Sequence, residues 1–272
     1  WAGDLNAARC LLADVARYLS QKHHLSCLCT CGAFLRFEWP RDLPARGNFD
    51  PSAEVIKTLT DAAASAIWTV LTPDVLNQLR GCCDYLTIGI DTNKAKVSTT
   101  YNNIAQPHAE LVCLVNLRNS RLHWTGKFYP TTQQQRTILR FPDLQSHFVN
   151  LDGVPVMILG CHDLSVYSPR GQAASKDPRR LKEARDFREL ARQQEPEAVL
   201  HHPHTTIKRG TWRQQWASLE NKLPSVRQYL GTGAYSFLDN GWDDRNDMIN
   251  VLGDNQKGDI LNVIVRLAAS GA

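Results

Sequence analysis

Cys161 is the side chain in this sequence best placed for nucleophilic chemistry. It directly follows the apolar run VMILG (156–160) and precedes His162 and Asp163. A cysteine at the end of a buried strand has a fixed backbone, and a nearby cation can lower its pKa so that the thiolate attacks a carbon centre. The pattern by itself is more often that of a buried, inert cysteine. Cys161 is therefore a candidate nucleophile, and the inert alternative stays open.

Lys127 also stands near the end of an apolar strand, in HWTGKFYP (123–130). Such a lysine is usually a solvated strand terminus. In an active site, its ammonium would stabilise a developing oxyanion or hold a thiol in the anionic form. Lys127 is the second candidate for chemistry.

Histidines cluster in HHPHTT (201–206), where His201, His202 and His204 follow a further apolar strand. They could contact a substrate, or bind a metal together with His162 and Asp163, or lie in a solvated loop. The usual zinc-ligand spacings are absent from this segment. Cys27, Cys29 and Cys31 alternate in LSCLCTC (25–31), which favours small buried side chains in a strand over a metal site.

Composition places the chain among globular proteins. It has 272 residues, of which 43% are hydrophobic and 21% charged, with a net charge of +4. These values exclude a disordered chain, and the charge is too small to imply a nucleic-acid or membrane partner. Eight cysteines without framework spacing suit free thiols in a reducing, cytoplasmic compartment. We expect one domain, 1–272, because no linker obviously divides the sequence, and the start at Trp1 is compatible with a domain excised from or fused within a longer chain.

Periodicity predicts helices and strands in alternation, mixed with hairpins. The predicted helices span 4–22, 51–67, 73–80, 176–194 and 211–222, and the predicted strands span 25–31, 85–90, 109–117, 121–128, 147–151, 154–160, 197–201, 225–230 and 259–267. A proline-bearing loop is predicted at 37–52, and a polar insert at 165–180. This order favours a layered α/β or α+β domain.

The order of these segments resembles the nitrilase, or carbon–nitrogen hydrolase, superfamily. The hairpin ELVCLVNLRNSRLHWTGKFYP (110–130) resembles the one that carries the catalytic lysine of that family, here Lys127. The stretch VNLDGVPVMILGCHDL (149–164) resembles the strand pair that presents its nucleophile in a Cys-x-Asp pattern, here Cys161. The resemblance covers most of the chain, which would be a divergent member.

The resemblance implies a four-layer α-β-β-α sandwich and a Glu-Lys-Cys triad. Cys161 would attack an amide or nitrile to form a thioester, Lys127 would stabilise the intermediate, and Glu38 would be the general base. The family pattern places its glutamate where this sequence has Gly32, and a second glutamate where it has Gln133-Gln134-Gln135. Substrate contacts would come from a further set of side chains: His162, Asp163, His201, His202 and His204. The implied protein needs no cofactor or metal, acts on a small molecule and forms a homo-oligomer.

Two other functions remain open from the sequence. The missing glutamates and the non-methionine start are compatible with a catalytically inactive nitrilase-like module that senses a ligand or assembles oligomers within a larger, for example defence-related, protein. A further hypothesis is a metallohydrolase that uses His201, His202, His204 and Asp163.

Overall fold

The computed structural model describes residues 3–21, 24–43, 51–93, 107–131, 134, 137–168, 177–204 and 209–231. The α-helices within these ranges are α1 (Leu5–Ser20), α2 (Ala53–Val70), α3 (Pro73–Arg80), α4 (Pro178–Gln194) and α5 (Arg209–Lys222). Side chains cap the first turns of α1 and α2, since Asp4 accepts a hydrogen bond from the Ala7 amide and Ser52 accepts one from the Val55 amide. No helix among the described residues is long and apolar enough to cross a membrane.

The strands form two sheets. They are β1 (Leu25–Cys29), β2 (Leu35–Phe37), β3 (Cys83–Thr92), β4 (Glu110–Asn116), β5 (Arg121–Gly126), β6 (Phe148–Leu151), β7 (Val154–Gly160), β8 (Ala198–His202) and β9 (Gln228–Gly231). The first sheet has the order β1-β3-β4-β5, and β2 also pairs with β3. The second sheet has the order β6-β7-β8-β9.

In the first sheet, strand direction brings several polar residues to one edge. Strand β3 is antiparallel to β4, which places Asp91 opposite Glu110, and β4 is antiparallel to β5, which places Leu111 opposite Gly126. The end of β3, the start of β4 and the end of β5 therefore lie together. Strands β1 and β2 both run parallel to β3 at successive points along it.

In the second sheet, β7, β8 and β9 are parallel, so the residues that follow β7 and β8 leave the sheet at the same edge. Gly160, the last residue of β7, is in register with His202, the last of β8. A tight turn at Asp152 and Gly153, both with positive φ (51° and 93°), joins β6 to β7. Glycine adopts that conformation without steric cost, which suits the turn.

Both faces of the central strands are buried, and three apolar clusters form as a result. The first joins helices α1, α2 and α3 to the first sheet, and the second joins α4 and α5 to the second sheet. The third cluster contains residues of both sheets, including Val112 and Leu114 from β4 and Val156 and Ile158 from β7. Successive side chains of β7 point to opposite faces of the second sheet, so Val156 and Ile158 belong to the third cluster while Met157 and Leu159 belong to the second.

The expectation of a mixed α/β fold is confirmed, with two sheets and helices between and after their strands. Strand β2 is not expected from the sequence pattern, which predicts a loop from residue 37 and no strand at 35–37. Three residues are too few for a pattern of alternation, so this strand depends on its pairing with β3. The predicted strand 259–267 and the middle of the 165–180 insert lie outside the described residues.

Candidate active site

The edge where both sheets end carries a buried cluster of ionisable side chains. Asp91 lies near the end of β3 and Glu110 begins β4, while Lys127 follows β5 directly. Cys161 follows β7, and His204 comes two residues after β8. The strand ends thus bring five ionisable groups, far apart in sequence, to one region.

Lys127 and Glu110 form a buried ion pair. The Lys127 Nζ donates to Glu110 Oε2 over 2.5 Å, and their side chains are 0% and 9% exposed. Burial would raise the pKa of Glu110, but the Lys127 ammonium together with His108 and His204 outweighs burial and holds that pKa below its usual range. Burial would lower the pKa of Lys127, but the nearby acidic groups, Glu110 first and then Cys161 and Asp163, together raise it. Both groups are therefore charged at neutral pH.

Further contacts hold the Glu110 carboxylate in place. The Gln134 side-chain amide donates to Glu110 Oε1 over 3.0 Å, and His108 Nε2 lies 3.6 Å from the same oxygen. Gln134 belongs to the run that the resemblance matched to the second family glutamate. The pair is thus fixed from both sides, which keeps the Lys127 ammonium oriented.

Cys161 is buried, with 6% of the residue exposed. Its Sγ accepts a hydrogen bond from the His204 backbone amide over 3.4 Å. Lys127 lies close by, since its Cα is 4.0 Å from the point where a Cβ on Gly160 would stand. The electrostatic influence of Cys161 on Lys127 also raises the lysine pKa. The structure thus brings together the two residues that the sequence selected for chemistry.

Asp163 links the backbones that carry these two residues. Its Oδ1 accepts from the Tyr129 amide over 2.9 Å, and its Oδ2 accepts from the Gly160 amide over 3.0 Å. Burial raises the pKa of this carboxyl to about 6. Both oxygens are engaged by backbone amides, so Asp163 positions the segments around Lys127 and Cys161.

His204 is paired with a carboxylate. Its Nε2–H donates to Asp91 Oδ2 over 2.8 Å. Burial would lower the pKa of His204, but hydrogen bonds to Asp91 and Cys161 outweigh burial and raise the pKa to about 11. The imidazole is therefore positively charged at neutral pH.

The other histidines of the predicted set have different environments. The His201 ring bonds to the Cys161 carbonyl oxygen (Nε2 to O, 2.9 Å), and the His202 ring bonds to the Thr30 carbonyl oxygen (Nδ1 to O, 2.7 Å). Burial lowers the pKa of His201 to about 3 and that of His202 to about 4, so both rings are neutral. His162 is partly exposed and stacks on the Trp212 ring, with centroids 6.1 Å apart.

Glu38 lies apart from this cluster. It is exposed, and its Oε1 accepts a hydrogen bond from the Asn93 side-chain amide over 2.8 Å. Across the described ranges, its interactions include neither Cys161 nor Lys127. At Gly32, the matched family position, an added Cβ would lie 2.7 Å from the His202 carbonyl oxygen and 3.2 Å from the His204 ring. The space beside this glycine is thus filled by the segment that carries His204.

Asp91, Glu110 and His204 offer atoms within 4.8 Å of one another, a spacing that metal ligands also show. This set differs from the predicted metal set of His201, His202, His204 and Asp163. In that set, His201, His202 and Asp163 bind separate backbone groups, and only His204 is paired with a carboxylate. In this cluster Glu110 is bound by Lys127 and Asp91 by His204. Two cationic side chains thus already neutralise the two carboxylates, which leaves little attraction for a further cation.

Asp91 and Glu110 were not recognised as site residues from the sequence. Each is an acidic residue at the end or start of an otherwise apolar strand, in YLTIGIDT (85–92) and ELVCLVN (110–116). An acidic residue is rarely buried unless it is paired, so this position was the available signal. Their proximity to His204 depends on contacts between the two sheets.

No family model and no curated protein matches this sequence. Solved structures resemble the fold at low identity. A cysteine-to-alanine mutant of an amidase of the nitrilase superfamily from Nesterenkonia AN1 is 12% identical, with a TM-score of 0.46 over 85% of this chain and 73% of that one. A CN-hydrolase superfamily protein from Xanthomonas campestris, with an arsenic adduct in its active site, is 11% identical, with a TM-score of 0.45 over 88% of this chain and 74% of that one.

Proposed function

We propose that this protein is a nitrilase-like carbon–nitrogen hydrolase of the amidase type, in which Cys161 forms a thioester with the acyl part of a small substrate. The observation that carries the proposal is the meeting of Cys161 with the buried Lys127–Glu110 ion pair at adjoining strand ends. The sequence patterns at the ends of two apolar strands point to the same two residues, Cys161 and Lys127. The motif resemblance to the superfamily adds to this support.

Lys127 suits the stabilisation of negative charge. Its ammonium is held at a fixed place by Glu110 and is shielded from water, so it needs little rearrangement when charge develops nearby. When the Cys161 sulfur attacks an amide carbon, the carbonyl oxygen becomes an oxyanion, and Lys127 would stabilise it. Collapse of this intermediate breaks the carbon–nitrogen bond and leaves the thioester, which water then hydrolyses.

Proton transfer is not assigned to Glu38, because its carboxylate is exposed and bonded to Asn93. His162 keeps a proposed role as a substrate contact, since it is adjacent to Cys161 and partly exposed. His201 and Asp163 would act on the substrate only indirectly, by fixing the backbone at Cys161.

The proposal extends to architecture. We infer a single domain with four layers, α-β-β-α, and the three apolar clusters support that order of helices and sheets. We also infer a homo-oligomer in solution. Gel filtration with light scattering tests this, and a monomer at micromolar concentration would contradict it.

The test of the function is hydrolysis of a panel of short aliphatic and aromatic amides and nitriles, followed by the ammonia released. We expect turnover of at least one substrate class by the parent and a loss of about 10³-fold or more in Cys161→Ala. Cys10→Ala is the matched control, because Cys10 is an exposed cysteine on α1. Equal activity in Cys161→Ala and the parent would reject nucleophilic catalysis. A folded parent without turnover of any amide or nitrile would favour the alternative of an inactive, ligand-sensing module.

A further inference from the structure

His204 and Asp91 stand beside the thiol in an arrangement suited to proton transfer. The His204 backbone amide donates to Cys161 Sγ over 3.4 Å, which places the residue directly against the sulfur. Its ring binds Asp91 through Nε2, at 2.8 Å. Asp91 occupies Nε2, so Nδ1 is the ring nitrogen that would serve the thiol, and a side-chain interaction with Cys161 is one of the contacts that raise the His204 pKa.

We propose that His204, oriented by Asp91, is the acid–base partner of Cys161, so that the working unit is Cys161–His204–Asp91 with Lys127 at the oxyanion. The proposal deepens the function proposed above and rests on it. His204 would touch the reacting sulfur and the leaving nitrogen, whereas Asp91 is a positioning residue that acts through the imidazole.

The local structure explains why a histidine takes this place. Gly32 follows β1, and its amide donates to the Pro203 carbonyl oxygen over 3.1 Å. Because Gly32 has no side chain, the segment after β8 can approach this backbone closely, with the His204 ring 3.2 Å from the position of a Cβ. Pro203 restricts the backbone between His202 and His204. A larger side chain at position 32 would displace the histidine.

The charged groups that face His204 come from every strand end at this edge. Asp91 lies near the end of β3 and Glu110 at the start of β4. Lys127 follows β5, and Cys161 follows β7. Lys127 is paired with Glu110, so Asp91 and the Cys161 sulfur remain as the acceptors for His204. A charged imidazole beside a thiol favours the thiolate, as an ion pair in the ground state.

With this pair, the reaction proceeds through formation of the thioester and then its hydrolysis. The Cys161 thiolate attacks the amide carbon and forms a carbon–sulfur bond, and the proton on His204 Nδ1 passes to the leaving nitrogen as the carbon–nitrogen bond breaks. Neutral His204 next takes a proton from water, whose oxygen attacks the thioester carbon. The carbon–sulfur bond breaks, the acid leaves, and the thiolate–imidazolium pair is restored. The net reaction is amide plus water to acid plus amine.

The test measures the state of the thiol without any substrate. Iodoacetamide alkylates thiolates, and trypsin releases Cys161 in fragment 141–170, where it is the only cysteine, so mass spectrometry gives its alkylation rate at each pH. An unpaired thiol with a pKa of about 8.5 gains about 80-fold in thiolate between pH 6 and pH 8. We expect the parent rate to change by less than about twofold over this range. Rates at different pH values are compared within each variant and not between variants, because a paired thiolate is also a weaker nucleophile and its absolute rate is lower.

His204→Gln is expected to restore the steep rise with pH, and Asp91→Asn to give an intermediate profile. His123→Gln is the control. His123 lies on another part of β5 and bonds to the Ser146 carbonyl oxygen, so its substitution should leave the profile flat. Circular dichroism checks that each variant is folded. A steep profile in the parent itself would overturn the pairing even if His204→Gln does not fold, and a flat profile in folded His204→Gln would also overturn it.

The two proposals fail in different ways. Turnover of an amide by a parent with a steep alkylation profile would leave the hydrolase and remove the His204 pairing. A flat profile that depends on His204, in a parent that turns over no substrate, would leave the pairing and count against the hydrolase.

Discussion

Replacing Glu110 by glutamine leaves the Lys127 ammonium buried without its carboxylate. The change keeps the size and shape of the side chain, so the Gln134 and His108 contacts lose little volume. Lys127 has a fully buried side chain, and Glu110 is its hydrogen-bonded ion-pair partner. The variant therefore isolates the charge of the carboxylate.

The expected loss is large for a single substitution. Removal of one partner of a buried ion pair costs about 3–5 kcal/mol, because the other charge stays buried and uncompensated. Folded domains have unfolding free energies of about 5–15 kcal/mol, so Glu110→Gln would remove a substantial part of the total. Glu110→Gln combined with Lys127→Met removes both charges and should be more stable than Glu110→Gln alone.

Urea unfolding followed by circular dichroism measures these differences. The control is Asp61→Asn, which removes the carboxylate of the exposed Lys57–Asp61 pair on α2, whose side chains are 74% and 64% exposed. An exposed pair of this spacing contributes about 0.3–0.5 kcal/mol, so the control should be nearly neutral. If Glu110→Gln unfolds within about 1 kcal/mol of the control, or if the double variant is less stable than Glu110→Gln, the buried ion pair described here is wrong.

Three further predictions concern packing, pH and metals. Gly89→Ala should destabilise the protein by about 3 kcal/mol or more in urea unfolding, because its Cβ would lie 2.1 Å from the Cys31 carbonyl oxygen. Gly81→Ala, whose Cβ would have its nearest atom at 3.3 Å, should cost much less. Equal effects of the two substitutions would contradict the close approach at Gly89. Burial lowers the pKa of His147 to about 4. Between pH 6.5 and pH 4 the histidine is therefore protonated in the unfolded state but neutral in the folded state, so the free energy of unfolding falls as the pH falls. His147→Gln should therefore reduce the slope of unfolding free energy between pH 5 and pH 6 by about 1.2 kcal/mol per pH unit, and an unchanged slope would refute a neutral buried His147. Dialysis against a chelator should leave any hydrolysis unchanged; a loss restored by Zn²⁺ would instead favour a metal at Asp91, Glu110 and His204.

Much of the fold follows from local patterns. The apolar spacing of α1 and α2 and the runs that became β3, β4 and β7 carry enough residues for the period to be read, and the observed bounds differ by only a few residues. The three-residue strand β2 has no such period. Its place depends on β3, which lies almost fifty residues later in the sequence.

The candidate site was predictable only in part. Cys161 and Lys127 follow strands whose ends could be located, so the sequence pointed to both. Glu38 lies six residues beyond Gly32, the motif position of the family glutamate, and its carboxylate is exposed and contacts Asn93. Asp91 and His204 lie 113 positions apart, and they meet where residues of both sheets share one apolar cluster, a contact that no local pattern encodes.

The central claim is that Cys161 carries the acyl group during turnover. The parent protein, incubated with the best amide of the panel and quenched in acid, is examined by intact mass and by the mass of fragment 141–170. We expect a mass increase equal to the acyl group on Cys161, absent from Cys161→Ala and removed by hydroxylamine. Steady turnover with no adduct at any quench time, together with full activity in Cys161→Ala, would contradict it.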